Sequence, residues 1–253
     1  MIHETAIISE KAKLGKNVSV GPYSIIGDDV VIGDNTVIHS HVVVKGPSII
    51  GSNNEIFQFS SVGEDCQDKK YDGEPTRLEI GDNNIIRENV TIHRGTIQDQ
   101  SLTKIGSKNL FMAYTHVAHD CMIGDNVIFA NNASVAGHVH VGDWAILGGM
   151  VGVHQFVHIG AHSFIGLNSI VVKDVPPYIL AAGNGAEPKG LNSEGLKRRG
   201  FSAEQISAIK SAYRTLYRKG LKVSEALEEI DDSDPSVADF TNFVKQSSRG
   251  IIR

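Results

Sequence analysis

Aromatic residues make up only 6% of this 253-residue chain, and there is a single Trp. A core built on large rings, which elsewhere supply the biggest buried areas per residue, is not available to it. The two cysteines, Cys66 and Cys121, are too few for a disulfide framework or a Cys-rich metal motif. No stretch approaches 18 consecutive apolar residues, so no membrane-spanning helix is expected. The first 20 residues carry Glu4, Glu10, Lys11 and Lys13 with no apolar run. A signal peptide is therefore not expected, and the simplest reading is a soluble cytoplasmic protein. The net charge is −5 and no basic, aromatic platform recurs, which argues against a nucleic-acid partner.

What the chain has in abundance is a period of six. Aliphatic or Phe residues return at Ile8, Leu14, Val20, Ile26 and so on, often followed by Gly, with a second long run from Ile105 to Val171. Six matches neither the helical period of 3.6 nor the strand period of 2. It matches a solenoid in which each side is one short strand ending in a turn, the hexapeptide signature of a parallel β-helix. Three hexapeptides make an 18-residue coil with a thin interior of Val, Ile, Leu and Ala. Val62 and Ile80 are 18 apart, so the coil count is expected to survive the polar stretch between them. Ile92 and Ile105 are 13 apart, one hexapeptide plus 7 residues. External loops are thus expected near 63–79 and 93–104, and loops on a rigid scaffold are common homes for binding residues. The first carries Gln67, Asp68, Lys69 and Lys70 together.

The repeat ends near 175, so residues 1–175 read as the β-helix and 176–253 as a linker followed by a helical domain. Val175-Pro176-Pro177 breaks the pattern, and Gly183, Gly185, Pro188 and Gly190 mark the linker. Ser202, with Gln205 three residues on, predicts a capped helix bearing an Ile206, Ile209, Tyr213, Leu216 stripe, stopped by Gly220. Ser224 would cap a second helix through Ile230, and a third is expected from about Ser236 to Gln246. Residues 188–253 carry net +3 against −8 for the remainder. Lys197, Arg198 and Arg199 are consecutive, and Lys210, Arg214 and Arg218 are four apart on one helix face. Such a face is either simply solvated or a dock for an acidic partner or phosphate.

Seven of the eleven histidines fall between 116 and 162. Counted in coils, His119, His138 and His154 sit near one edge on successive coils, with strands about 4.8 Å apart. His116 lies three residues before His119, and His140 and His158 form a second, outward stack. Clustered imidazoles serve either as a general base or as an open zinc site. Asp120 could fix the His119 tautomer. Gly137 could bring its N–H close to a developing oxyanion.

The strings GEPTRLEIGDNNIIRENVTIHRGT, HVAHDCMIGDN, ANNASVAGHVHVGD and EGLKRRGFS closely resemble the bacterial UDP-N-acetylglucosamine acyltransferase family along essentially the whole chain. The resemblance implies a left-handed β-helix and a homotrimer with active sites between neighbouring solenoids. It implies transfer of a 3-hydroxyacyl group from acyl carrier protein to the sugar 3-hydroxyl, the first step of lipid A synthesis, with no metal or cofactor. It makes His119 the general base, Asp120 its orienting partner and the Gly137 N–H the oxyanion donor. His116, His138, His154 and Gln155 would line the sugar and acyl subsites, and Gln67, Asp68 and Lys70 would touch the acyl chain or sugar. Asn192, Glu194 and Arg198 would meet the nucleotide. Lys197, Arg199 and Arg214 would belong to a carrier-protein docking face. Leu167 replaces the Gly of long-chain members. The alternatives left open by the residues are a trimeric β-helix carbonic anhydrase with a His₃ zinc site and an inert binding solenoid.

Overall fold

Each hexapeptide folds as a strand of two to four residues followed by a turn. The computed structural model describes residues 1–253. Within a strand the side chains alternate, so one apolar residue of each hexapeptide points inward and its predecessor outward. The turns place a non-Gly residue at positive φ on coil after coil, as at Asp120 (57°), His138 (62°) and Phe156 (62°). That left-handed conformation costs an L-residue roughly 1 kcal/mol. Here it is held by the stacked coils above and below.

The coils wind as a left-handed parallel β-helix with three flat faces. The first face has nine strands, from Ile7–Ile8 to Ile170–Val171. The second has eight, from Lys13–Leu14 to His158–Ile159. The third has ten, from Ser19–Val20 to Glu187–Leu191. Register follows the 18-residue coil, with Ile123 opposite Val141 and Val141 opposite Ile159. One continuous apolar core fills the interior and runs into the helical tail. Each fully buried Ile or Val contributes roughly 1.5–3 kcal/mol. Two rings fit inside after all: Phe111 and Phe129 pack with centroids 5.0 Å apart.

The two insertions correct the expected coil count. Ile80 pairs with Ile50, whereas Val62 pairs with Ile92. Val62 and Ile80 therefore lie on adjacent faces, and their 18-residue spacing is one ordinary side plus a long excursion. The second insertion leaves the same first face at His93 and re-enters the same second face at Leu102. Both loops spring from one corner on consecutive coils. The strands also extend into them, to Glu64 and from Arg77 around the first.

The expected linker is structured. Ile179–Ala182 pairs in parallel with Phe164–Ile165, and Glu187–Leu191 folds back against it as an antiparallel strand. Four helices follow: α1 (Ser193–Arg198), α2 (Ala203–Arg218), α3 (Val223–Glu229) and α4 (Pro235–Gln246). α2 carries the expected Ser202/Gln205 capping box. α3 starts one residue before Ser224, with Lys222 as its N-cap, because Glu225 reaches back to the Lys222 N–H. α1 was not foreseen; six residues are too few to show a period. The chain end returns to the solenoid, where Ser247 donates to Asp174 at 2.6 Å and Ile251 bridges Asp174. No helix is long and apolar enough to cross a membrane.

Candidate active site

The corner between the first and second faces brings His119, Asp120, Gly137 and His138 together. Asp120 is completely buried. Its carboxylate accepts from His119 Nδ1 at 2.9 Å, from the Thr96 N–H and from the Thr96 hydroxyl at 2.6 Å. Burial alone would raise its pKa; the bonds from His119 and Thr96 outweigh burial and hold it below the usual carboxylate value. An ionised carboxylate only accepts, so the proton on this bond resides on His119 Nδ1. In the neutral ring this tautomer puts the lone pair on Nε2, which is what a general base would need.

Gly137 packs directly against that ring. A Cβ at residue 137 would lie 2.4 Å from His119 Cε1 and 2.5 Å from Nε2. The Gly137 N–H donates to no group of the chain. The His119 ring thus packs against a residue whose N–H is unbonded within the chain, the two kinds of group that a base and an oxyanion donor require.

Both line a cavity of about 640 Å³ on the first face. Its floor is apolar, with Ala118, Val135, Ala136 and Val153, and it ends at Ile170 and Val172. His116, His154, Gln155, Gln67 and Asp68 complete the wall. His93 does too; it lies within the first of the quoted family strings but escaped sequence reasoning because it sits at the edge of an insertion, where the coil count gives it no partner. Burial pushes the His93 ring down to about 4, with His116 adding to the effect. Burial, reinforced by His119, also lowers His116, whose Nδ1 meets the Thr91 hydroxyl at 2.7 Å. Two imidazoles whose burial disfavours taking up a proton thus flank His119.

The histidine ladder is staggered rather than stacked. His138 sits edge-on to His119 at 5.0 Å and lies flat on Phe156 at 4.3 Å. Its Nδ1 meets Asp99 of the second loop at 2.9 Å. It lines a second cavity with Lys70, Asp99 and the parallel His140–His158 pair, which stacks at 4.4 Å as expected. Thr96, Asp99 and Phe156 are the supports the sequence did not reveal. Each lies in an insertion or at a turn, where spacing says nothing about partners.

Neither cysteine is a nucleophile in waiting. Burial pushes Cys121 up to about 12 and raises Cys66 as well. His119, Asp120 and His138 bring ligand-type atoms within 4.8 Å of one another. Asp120 already accepts three protein hydrogen bonds there, so a cation would have to displace the pair that orients His119.

Comparison with known proteins decides between acyl transfer and hydration. Residues 174–252 match the second-domain model of UDP-N-acetylglucosamine O-acyltransferase. Residues 11–46 and 102–137 match the bacterial transferase hexapeptide repeat. The acyl-[acyl-carrier-protein]–UDP-N-acetylglucosamine O-acyltransferase of Tolumonas auensis is 65% identical over 213 residues, 83% of this chain and 81% of that protein. The chain belongs to the UDP-N-acetylglucosamine O-acyltransferase family. The Aeromonas salmonicida relative is 60% identical over the same share of both chains. The structure of LpxA from Acinetobacter baumannii superposes with a TM-score of 0.97 at 53% identity, covering 100% of this chain and 99% of that one. The Francisella novicida UDP-N-acetylglucosamine acyltransferase gives 0.98 at 46% identity, covering 100% and 94%. The chain is accordingly an O-acyltransferase.

Within one chain of this family member, not every expected site residue reaches the cavity. Asn192 is the N-cap of α1, accepting from Gly195 N–H while donating to His162 O at 2.9 Å. Glu194 is exposed and paired with Lys197 at 3.0 Å, and Arg198 is exposed nearby. None of the three lines the His119 cavity. Leu167 is 68% exposed, leans over Gly149, and also stands outside it. Arg199 is not a free docking charge: its guanidinium lies 5.3 Å over Trp144 and 3.3 Å from His162 Nδ1. Burial, with the Arg199 charge beside it, pushes His162 down to about 4. Arg214 is exposed and shares a basic hollow with Lys210 and Arg218.

Proposed function

We propose that this protein transfers a 3-hydroxyacyl group from acyl carrier protein to the 3-hydroxyl of UDP-N-acetylglucosamine, in the cytoplasm, as the first step of lipid A synthesis. The observation that carries the reading is the pairing of an oriented His119 with the unbonded Gly137 N–H at one end of an apolar cavity. His119 Nε2 takes the proton of the sugar hydroxyl as its oxygen attacks the thioester carbonyl. The Gly137 N–H receives the oxyanion. The intermediate collapses by breaking the C–S bond, and His119 returns the proton to the departing thiolate. An ester and a free carrier thiol result. No enzyme-bound acyl group is needed, in keeping with the suppressed cysteines.

The same reading assigns Asn192, Glu194 and Arg198 to the nucleotide bound by a neighbouring subunit of a homotrimer. Their distance from their own chain's cavity supports that arrangement, in which each site is completed by the tail of the next subunit. The test of the whole reading is turnover of UDP-N-acetylglucosamine with a series of 3-hydroxyacyl carrier proteins, following release of the carrier thiol. No release with any chain length would overturn it.

That series also measures the acyl preference. Leu167 stands exposed outside its own chain's cavity, so in this reading its side chain closes the acyl groove where the neighbouring subunit adjoins it, and Gly there would leave room that the solenoid itself, which yields little, does not offer. Each methylene accommodated is worth about 0.8 kcal/mol, and one that clashes costs more. Donors of roughly ten to twelve carbons should be preferred, and Leu167→Gly should shift the optimum to longer chains. An unchanged profile would remove Leu167 as the determinant and pass the role to Ile170, which lines the cavity itself.

The donor protein is acidic, and the tail offers it Lys197, Lys210, Arg214 and Arg218. Reversing Arg214 to Glu should raise KM for the carrier-protein donor roughly tenfold at low salt, and the wild-type rate should fall as salt rises. Normal donor use by the Arg214→Glu enzyme at low salt would mark the face as merely solvated. Arg199 is unsuitable for this test, because reversing it would break its packing on Trp144 and His162.

A further inference from the structure

The first insertion is tethered by one side chain. Arg94 follows the strand Thr91–His93 and its side chain is 7% exposed. Its Nη1 donates to Gly63 O at 2.5 Å, where the first loop departs. Its Nη2 forms an ion pair with Asp65 and donates to the Tyr71 hydroxyl at 3.2 Å. Tyr71 in turn donates to Glu74 O at 3.1 Å. Every other hydrogen bond made by residues 65–76 stays within the loop or reaches only Glu64 beside it. Arg94 therefore supplies all the hydrogen bonds that fix this loop to the rest of the solenoid. The loop carries Gln67 and Asp68 to the cavity wall, and Lys70 to the adjoining cavity.

Two residues further on, Thr96 holds Asp120 and so orients His119. Gly95 between them has no room for a side chain, since a Cβ there would fall 2.2 Å from Leu102 N and 2.8 Å from Asp120 Oδ1. One short segment thus grips the substrate-facing loop with Arg94 and the base's carboxylate with Thr96.

We propose that Arg94 is a positioning residue that sets the first loop at the distance from His119 that substrate binding requires. It touches no reacting atom and acts through Gln67, Asp68 and Lys70. This rests on the acyl-transfer reading for its kinetic readout, and a second readout is independent of that reading. Asp65 is more than half exposed, so Asp65→Asn and Tyr71→Phe weaken the clamp from the solvent side without leaving a buried hole. Arg94→Met removes it from within.

In the full-length protein, these variants should raise KM for the sugar nucleotide or the acyl donor about tenfold, with a smaller change in kcat, because displaced binding groups cost affinity first. Combining Arg94→Met with Tyr71→Phe should add little to the larger single effect, as expected for partners in one network. Without any substrate, limited trypsin treatment should cut at the exposed Lys69 and Lys70 several times faster in the variants than in wild type. Arg94→Lys, which keeps a charge but loses the fork, should fall between wild type and Met. If Arg94→Met does not fold, the Asp65→Asn and Tyr71→Phe enzymes carry the test alone. Unchanged KM for both substrates together with wild-type cleavage would overturn the proposal. Faster cleavage in a chain that shows no acyl transfer would leave the clamp standing and bring down the reaction instead.

Discussion

Replacing His119 with Ala is expected to lower kcat about 10²–10⁴-fold, the usual contribution of a general base. The fold should survive. His119 lies on the outside of a coil and is absent from the apolar core. Asp120 loses one partner but keeps both bonds from Thr96, so the cost in stability should be about 1–2 kcal/mol. Steady-state kinetics and a melting curve on the same preparation separate the two effects. Near-normal turnover by a folded His119→Ala protein would remove His119 as the base.

The second large effect is expected at Gly137, from a single methyl group. The backbone there has an ordinary negative φ, so Ala fits the chain. The N–H that would receive the oxyanion is retained. What changes is space: the new Cβ would lie 2.4 Å from His119 Cε1, far inside contact distance. His119 is held on its other side by a buried carboxylate that cannot retreat. The ring must swing, and a displacement near 1 Å costs on the order of 100-fold in rate. Gly137→Ala should therefore show a kcat deficit of that size with a Tm within a few degrees of wild type. A Gly137→Ala enzyme with unchanged kcat would mean that His119 has slack and that its placement against residue 137 is immaterial. The comparison also distinguishes two reasons for Gly at this site, since a loss from Ala points to room for the base rather than to the N–H alone.

The basic tail illustrates how residue type and position can diverge. Lys197, Arg198 and Arg199 are indistinguishable as a run of charge. The fold spends Arg199 on Trp144 and His162 and leaves the other two in solvent. α1 presents them so because its single buried residue is Leu196. A helix this short has no period from which that outcome could be read.

The solenoid itself was legible because its physics is local. An inward apolar residue every six positions, stacked at 18, specifies both the strand register and the three faces, and Ile123, Val141 and Ile159 pair as that count requires. The Ser202/Gln205 capping box was legible for the same reason: both partners lie within one turn. The His119–Asp120 pair needed only a neighbour in sequence. What the chain's linear order did not determine was where the insertions return. The 18 residues from Val62 to Ile80 mimic a full coil, yet they cross a single corner, because a loop's length is not constrained once it leaves the stack. Only the folded molecule puts both loops on that corner, and with them Thr96 under Asp120, Asp99 under His138 and Arg94 under the 65–76 loop. Repetition determines the scaffold through contacts 18 residues apart. The site depends on single long-range contacts across 23 to 39 residues, which no period announces.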